Sequence, residues 1–369
     1  MSDKPRSDNY NMTAHKMLWH MDRVLEHKKG RRIAPLHIDA GISRGCNIAC
    51  HYCFGKTQGN LFKEGIDQYL AEDVLVNFFR DAGEIGVRSI AVIGEAEPLV
   101  NPHVYRAIVE GKKAGVDMSL ATNGILFTTK PVGVEALEHL TWIRFNLSAA
   151  SLEGYQRVHG SRAFDAVLDK IRYVVRMRKE HRLGLTIGIQ MVLTPLCLSE
   201  AVGLARLSRE LEVDYLVIKQ CSDLRSNALG VYQDLPKYTS QEFTETLQEA
   251  ESYSTDGFKV IVKWPQIGNM GVRSYPRCLG APFLLHTTGD GRVYSCASFF
   301  DGKKDQYLLG DLTRTRFRDI VASDRYWDAI ARLQREVDTR KECYSNCRTN
   351  NINQFLWEFE NPPEHLNFV

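Results

Sequence analysis

The stretch Cys46-Asn47-Ile48-Ala49-Cys50-His51-Tyr52-Cys53 decides how the rest of the chain is read. It follows a short apolar run, Leu36–Ile42, that reads as a strand. Its three cysteines are spaced C-x3-C-x2-C. Three thiolates on one tight loop can hold three irons of a cubane cluster, leaving the fourth iron open to a small molecule. A structural zinc loop is the plainer alternative, but zinc prefers four protein ligands in a closed site, and His51 sits awkwardly between two of the cysteines. A third reading is that these are buried small hydrophobes, a common fate of free cysteine.

Composition narrows the choice. The chain has 369 residues, 44% hydrophobic and 25% charged, with a formal net charge of +2. That length accommodates two domains and a sizeable core. The near-neutral charge gives no nucleic-acid-binding field. No apolar run approaches the ~20 residues of a membrane span, and the polar N-terminus has no signal-peptide core. A cytoplasmic protein with neither nucleic acid nor membrane as partner is therefore expected. In that setting nine cysteines argue for metal rather than disulfides.

Outward from the cysteine loop, apolar runs alternate with helical patterns. Strands are predicted at 36–42, 89–93, 117–121, 142–148, 185–193 and 215–220, and helices between them, the last at 240–253. This alternation predicts an α/β protein whose core, residues 36–255, is a partial six-stranded parallel (β/α)6 barrel. Residues 1–35 read as a helical extension, with an amphipathic helix from Thr13 to His27. Residues 256–348 read as a small α+β unit, and 349–369 as a tail apolar enough to dock.

In parallel barrels the chemistry lies at the C-terminal ends of the strands. Those ends carry Gly94-Glu95-Ala96-Glu97-Pro98, Thr122-Asn123-Gly124, Asn146-Leu147-Ser148-Ala149, Gly188 and Gln190, and Lys219 with Cys221. Gly188 would let a ligand approach closely, and Gln190 could hydrogen-bond it. Tyr155 and His159 follow strand four and could line the pocket or serve structure alone. In the C-terminal part, Cys278 and Cys296 flank a hairpin with an Asp290-Gly291 turn, and Cys343 and Cys347 come after a helix predicted at 318–335. Four cysteines suit zinc or a [4Fe–4S] cluster equally. Cys197 and Cys221 remain unassigned.

The C-x3-C-x2-C loop, with Tyr52 before its last cysteine, resembles the radical S-adenosylmethionine (AdoMet) superfamily. The resemblance implies a [4Fe–4S] cluster on Cys46, Cys50 and Cys53 whose open iron chelates S-adenosyl-L-methionine, reductive cleavage to a 5′-deoxyadenosyl radical, and hydrogen abstraction. It implies an external one-electron reductant of flavodoxin or ferredoxin type. It places Tyr52 near the adenine and Ser148 and Gln190 near the ribose. It matches Gly94–Pro98 to the family's Gly-Gly-Glu-Pro turn, with Glu95 and Ala96 in the two glycine positions and Glu97 retained. The later cysteines resemble the SPASM/Twitch extension, which implies an auxiliary [4Fe–4S] cluster on Cys278, Cys296, Cys343 and Cys347.

The short N-terminal segment and single auxiliary group point to a small polar substrate, such as a sugar, aminocyclitol or nucleotide-sugar, undergoing dehydrogenation or epimerisation. Cys221 is the candidate hydrogen donor for the second outcome. Residues 16–24 and the Pro-Pro-Glu-His-Leu-Asn-Phe ending resemble family members of carbohydrate pathways. The alternatives are a ribosomal-peptide maturase that borrows its leader-binding domain, and a non-catalytic iron–sulfur or zinc scaffold, which leaves the open three-cysteine site unexplained.

Overall fold

Each apolar run predicted as a core strand is a strand, and the alternation along it decides which side chains face which layer. The computed structural model describes residues 14–58, 61–62, 68–267, 271–300 and 305–367. Its strands are β1 (His37–Ala40), β2 (Gly45–Cys46), β3 (Leu61–Phe62), β4 (Ser89–Val92), β5 (Asp117–Thr122), β6 (Leu140–Asn146), β7 (Thr186–Leu193), β8 (Tyr215–Gln220), β9 (Lys259–Val262), β10 (Leu284–Thr287), β11 (Arg292–Tyr294) and β12 (Gly310–Asp311). All but the β2–β3 pair form one sheet, in the order β12-β11-β10-β1-β4-β5-β6-β7-β8-β9.

The α/β class holds, and the six expected strands lie side by side and parallel. The strand count is larger than expected. β9 adds in parallel beyond β8, and β10 adds in parallel on the far side of β1, so the parallel run has eight strands. The helix Gln241–Ser252 returns the chain to the start of the sheet as each earlier helix does, which makes Lys259–Val262 one more β-α-β step. The sheet therefore passes unbroken across the boundary expected at residue 255. The hairpin turn at Asp290-Gly291 is present, with β11 antiparallel to β10.

One face of the sheet is apolar and covered by helices. Ile38, Ala40, Ile90, Val92, Leu120, Ile143, Phe145, Ile187, Ile189, Leu216 and Ile218 are buried there. The helix Phe164–Glu180 shows the matching pattern, burying Val167, Leu168, Ile171, Val174 and Val175 at helical spacing. The alternate residues of the same strands, among them Asp39, Ser119, Arg144, Gln190 and Lys219, face the other way into a polar lumen.

Three local expectations change. The helix predicted at 318–335 is two helices, Phe317–Ala322 and Asp324–Glu336, because Ser323 leaves the helical conformation and caps the second by accepting from the Tyr326 N–H. The N-terminal helix begins as a 3-10 turn, Ala14–His20, before the α-helix Met21–Lys28; Thr13 lies outside the described residues. The tail docks through the helix Asn350–Glu360, whose Leu356 packs with Met17, Val24, Ile33, Leu36 and Phe283. Residues 361–367 are exposed, and Phe368 and Val369 lie outside the described residues. Among the described residues no helix is long and apolar enough to cross a membrane.

Candidate active site

The Cys46–Cys53 loop is held at the C-terminal ends of the strands by hydrogen bonds from four separate elements. The Glu97 N–H donates to the Gly45 carbonyl (3.2 Å), and the Ser43 hydroxyl to the Glu97 carbonyl (2.7 Å). Asn123 Nδ2 donates to Asn47 Oδ1 (2.8 Å). His51 is fully used: Nδ1 donates to the Val158 carbonyl (3.1 Å) and Nε2 accepts from Thr194 (2.9 Å). It is therefore engaged in structure and is no ligand in this arrangement. Gly160 ends the helix Leu152–His159 at φ +63°, and a Cβ there would lie 3.1 Å from the Ala49 carbonyl oxygen, so glycine lets the helix end meet the loop.

His159, left open by sequence reasoning, touches a cysteine. Its Nε2 accepts from the Ser148 N–H (3.0 Å), which puts its proton on Nδ1, and Nδ1 lies 3.1 Å from Cys50 Sγ. Burial pushes this imidazole down to about 3, so it stays neutral and donates to sulfur. Tyr155, wholly buried, stacks on His159 at 4.5 Å.

Ser148 departs from its expected place against a ribose. Its hydroxyl donates to Tyr52 Oη and accepts from the Val192 N–H, both at 3.0 Å, so its one proton is spent on aiming Tyr52. Gln190 donates to Asn146 Oδ1 (3.1 Å) on the lumen face. The Glu97 carboxylate accepts from Thr122, the Asn123 N–H and the Leu99 N–H. It thus joins two strand ends and shapes the turn, with both carboxylate oxygens engaged within the protein. Glu95 is buried, accepts from the Gly289 N–H (2.9 Å) and is pushed up to about 7, chiefly by burial. That carboxyl ties the C-terminal hairpin to the site, a role its sequence position did not reveal. No described residue donates to the carbonyl oxygens of Glu95 or Ala96.

Gly188 also differs from expectation. A Cβ there would lie 2.1 Å from the Tyr215 ring, so the space left by glycine is filled by Tyr215 and not by a ligand. The ring crosses β7 beneath Gly188, which brings its hydroxyl close to Arg144 on β6. Cys197 is a buried filler bonded within its own turn. Cys221 Sγ donates to the Tyr52 carbonyl at 3.4 Å, one step from the cysteine loop.

The second cysteine group comes together from three segments. The thiols of Cys278, Cys296, Cys343 and Cys347 each lie in the field of the others. The neighbouring Cys343 thiol and the Arg273 guanidinium hold the Cys347 thiol below its usual range, against the effect of burial. Asn353, Ser298 and Thr349 contact Cys278, Cys296 and Cys347 respectively. The loop carrying Cys343 and Cys347 leans over the first: Tyr344 stacks on Phe54 at 5.3 Å, and Asn346 Nδ2 donates to the Gln220 and Cys221 carbonyls. Arg348 continues into the lumen and forms a two-pronged pair with Asp39 (2.7 and 3.0 Å).

Both donor sets suit iron–sulfur clusters. Burial and the nearby Glu97 carboxylate push the Cys46 thiol up to about 12, and burial with the neighbouring cysteines pushes the Cys50 thiol well up. Thiolates crowded in this way need a cationic core to offset their repulsion. Soft sulfur donors without carboxylates select iron–sulfur clusters or zinc, and the three-donor set on the first loop suits a cluster with an open position.

Comparison with known proteins agrees. Residues 41–195 match the family model of the Radical SAM superfamily, and residues 282–349 match an iron–sulfur cluster-binding domain, SPASM. A "Probable GTP 3',8-cyclase" of Thermococcus kodakarensis is 27% identical over 44% of this chain and 51% of its own, so the chain spans about half of that relative. A "Tungsten-containing aldehyde ferredoxin oxidoreductase cofactor-modifying protein" of Pyrococcus furiosus is 22% identical over 77% of this chain and 80% of its own. Among solved structures, Streptococcus suis SuiB bound to its precursor peptide SuiA aligns with TM-score 0.60 and 16% identity, over 89% of this chain and 74% of that one. The protein anSMEcpe with bound AdoMet aligns with TM-score 0.58 and 16% identity, over 91% and 100%. These two likenesses are of fold.

Proposed function

The chain belongs to the radical SAM superfamily and carries a C-terminal SPASM iron–sulfur domain, and from that premise we propose that it removes hydrogen from a small polar substrate held in the lumen. Superfamily and domain bring [4Fe–4S] clusters and S-adenosyl-L-methionine as cofactors, and require a substrate and a reductant. In this reading Cys46, Cys50 and Cys53 hold the cluster with the open iron, and Cys278, Cys296, Cys343 and Cys347 hold the second. When bound, the first cluster with S-adenosyl-L-methionine supplies a 5′-deoxyadenosyl radical, and the second supplies a one-electron acceptor.

The chain's own residues bind and orient. With S-adenosyl-L-methionine bound, Tyr52, aimed by Ser148, would lie against the adenine, the carbonyl oxygens of Glu95 and Ala96, which no described residue uses, would receive the methionine ammonium, and Gln190 would reach the ribose. Tyr344 stacks on Phe54 beside the first cysteine loop and would help to shield a bound cofactor from water. The reductant is a flavodoxin- or ferredoxin-type protein. The favoured reaction is dehydrogenation of a sugar, aminocyclitol or nucleotide-sugar: the carbon loses a hydrogen atom and an electron, its hydroxyl loses a proton, and a carbonyl results.

The observation that supports this reading is the convergence of the cysteine loop, Tyr52 and the polar face of the sheet on one end of the lumen. The test is anaerobic reconstitution followed by reduction, then a screen of deuterated polar substrates for label in 5′-deoxyadenosine. Label is expected from one class of polyhydroxylated substrate. Failure to release 5′-deoxyadenosine and methionine would sink the proposal.

A further inference from the structure

A buried cation that serves structure alone is paired, because leaving it alone in a low-dielectric interior is costly. Arg348 obeys this rule through its two bonds to Asp39. Lys219 does not. It is half-buried near the C-terminal end of β8, faces the lumen, and has no hydrogen-bond or ion-pair partner among the described residues. Its electrostatic neighbours are Arg144, Arg348, Asp39 and Cys221; burial and the two guanidiniums push it down to about 7.

Arg144 faces the same lumen from β6, two strands away and level with Tyr215, and its charge is felt at Lys219. The Tyr215 hydroxyl lies close to its guanidinium across the gap at Gly188, the Trp142 ring lies 5.2 Å beneath it, and its Nε is buried with no partner. Lys263 adds a further positive charge to the same field. Among these neighbours the one carboxylate is Asp39, which Arg348 already occupies, and burial keeps His286 neutral, down to about 4.

We infer that Lys219 and Arg144 form a seat for an oxyanionic group of the substrate, a phosphoryl group or a carboxylate. The proposal rests on the reading that the lumen holds the substrate, and adds the chemical class of its anchor. Lys219 stands two residues before Cys221, which directly follows the end of β8, roughly 6–7 Å further along the chain. An anion seated there leaves the rest of a small molecule reaching toward Tyr52 and the cysteine loop.

The test is calorimetric titration of the reconstituted protein with inorganic phosphate and with malonate at constant ionic strength. At least one anion should bind saturably, about tenfold or more weakly in Lys219→Met and Arg144→Met, because each loses a charge-assisted hydrogen bond. Lys219→Arg should stay within about threefold of wild type, since charge and donors survive. Lys219→Met should also melt at a higher temperature, because it removes a half-buried charge that has no counter-charge of its own. Binding of phosphate alone assigns a phosphoryl anchor, and of malonate alone a carboxylate. Wild-type affinity in Lys219→Met overturns the seat, as does the absence of saturable binding by wild type. A lower melting point in Lys219→Met together with lost binding in Lys219→Arg makes Lys219 structural. Cleavage of S-adenosyl-L-methionine is a separate assay, so failure there strikes the proposed function and leaves this result to be read alone.

Discussion

The two cysteine groups reach similar ends by opposite means. Cys46, Cys50 and Cys53 lie within eight residues on one loop, and distant elements serve only to steady it: Asn123 after β5, Val158 and His159 from one helix, Thr194 after β7. Cys278, Cys296, Cys343 and Cys347 span seventy residues and meet only because the hairpin, two helices and the Asn350–Glu360 helix have folded around them. The first group is a local property of sequence and the second a property of tertiary structure. A local loop can be lost by one substitution, whereas a distributed site fails along with the packing that assembles it.

The sharpest way to break the first half of this contrast is Cys50→Ala. Reductive cleavage of S-adenosyl-L-methionine should fall to background, measured as 5′-deoxyadenosine after anaerobic reconstitution. Wild-type release by the variant would remove the loop from the site. The next test treats the two groups as separable. Wild type should hold about eight irons per chain, and the triple replacement of Cys46, Cys50 and Cys53 about four, by iron analysis. A triple variant with one zinc and no iron would show that the second group is a structural zinc site.

What could be read from sequence follows the same division. Alternating apolar runs and the C-x3-C-x2-C spacing are local signals, and strands β1 and β4–β8 and the first loop followed from them. Interactions across the lumen carry no local mark. Nothing in a run containing Gly188 says that Tyr215 will fill its gap. Nothing in Arg348 points to Asp39, more than three hundred positions earlier. β9 read as part of another unit because four residues give no clue to which sheet edge they join. His159 was noticed, but its contact with Cys50 depends on the helix end that Gly160 allows.

The link between the regions is testable at Asp39. Its carboxyl is held well below the usual range by Arg348 and His37, against the effect of burial. Asp39→Asn leaves the Arg348 guanidinium short of a counter-charge and should cost about 3 kcal/mol, measured by denaturant unfolding. The double variant Asp39→Leu/Arg348→Met should recover most of it. A single variant as stable as wild type would mean that the pair does not hold Arg348 in place. A smaller effect is expected from His159→Phe, which removes the N–H donated to Cys50 sulfur. The first cluster should become harder to reduce by tens of millivolts, roughly, because hydrogen bonds to sulfur favour the reduced, more negative cluster. A potential unchanged by spectroelectrochemistry would make that contact incidental.

The smallest change is expected at Cys221, the residue that divides the two chemistries left open by sequence. Its thiol lies between both groups, donating to the Tyr52 carbonyl while its own carbonyl accepts from Asn346. Burial and Asp223 push the thiol well up, so it keeps its hydrogen, as a hydrogen-atom donor must. That S–H, however, is already committed to a backbone carbonyl, and only 1% of the residue is exposed. A donor for epimerisation has to present its hydrogen to the substrate face opposite the abstraction, which this geometry does not offer. Cys221→Ala should therefore form oxidised product at a rate within about threefold of wild type and lose about 1 kcal/mol of stability from the small void. If instead 5′-deoxyadenosine continues to form while an epimeric product disappears, Cys221 is the donor and dehydrogenation is the wrong reaction.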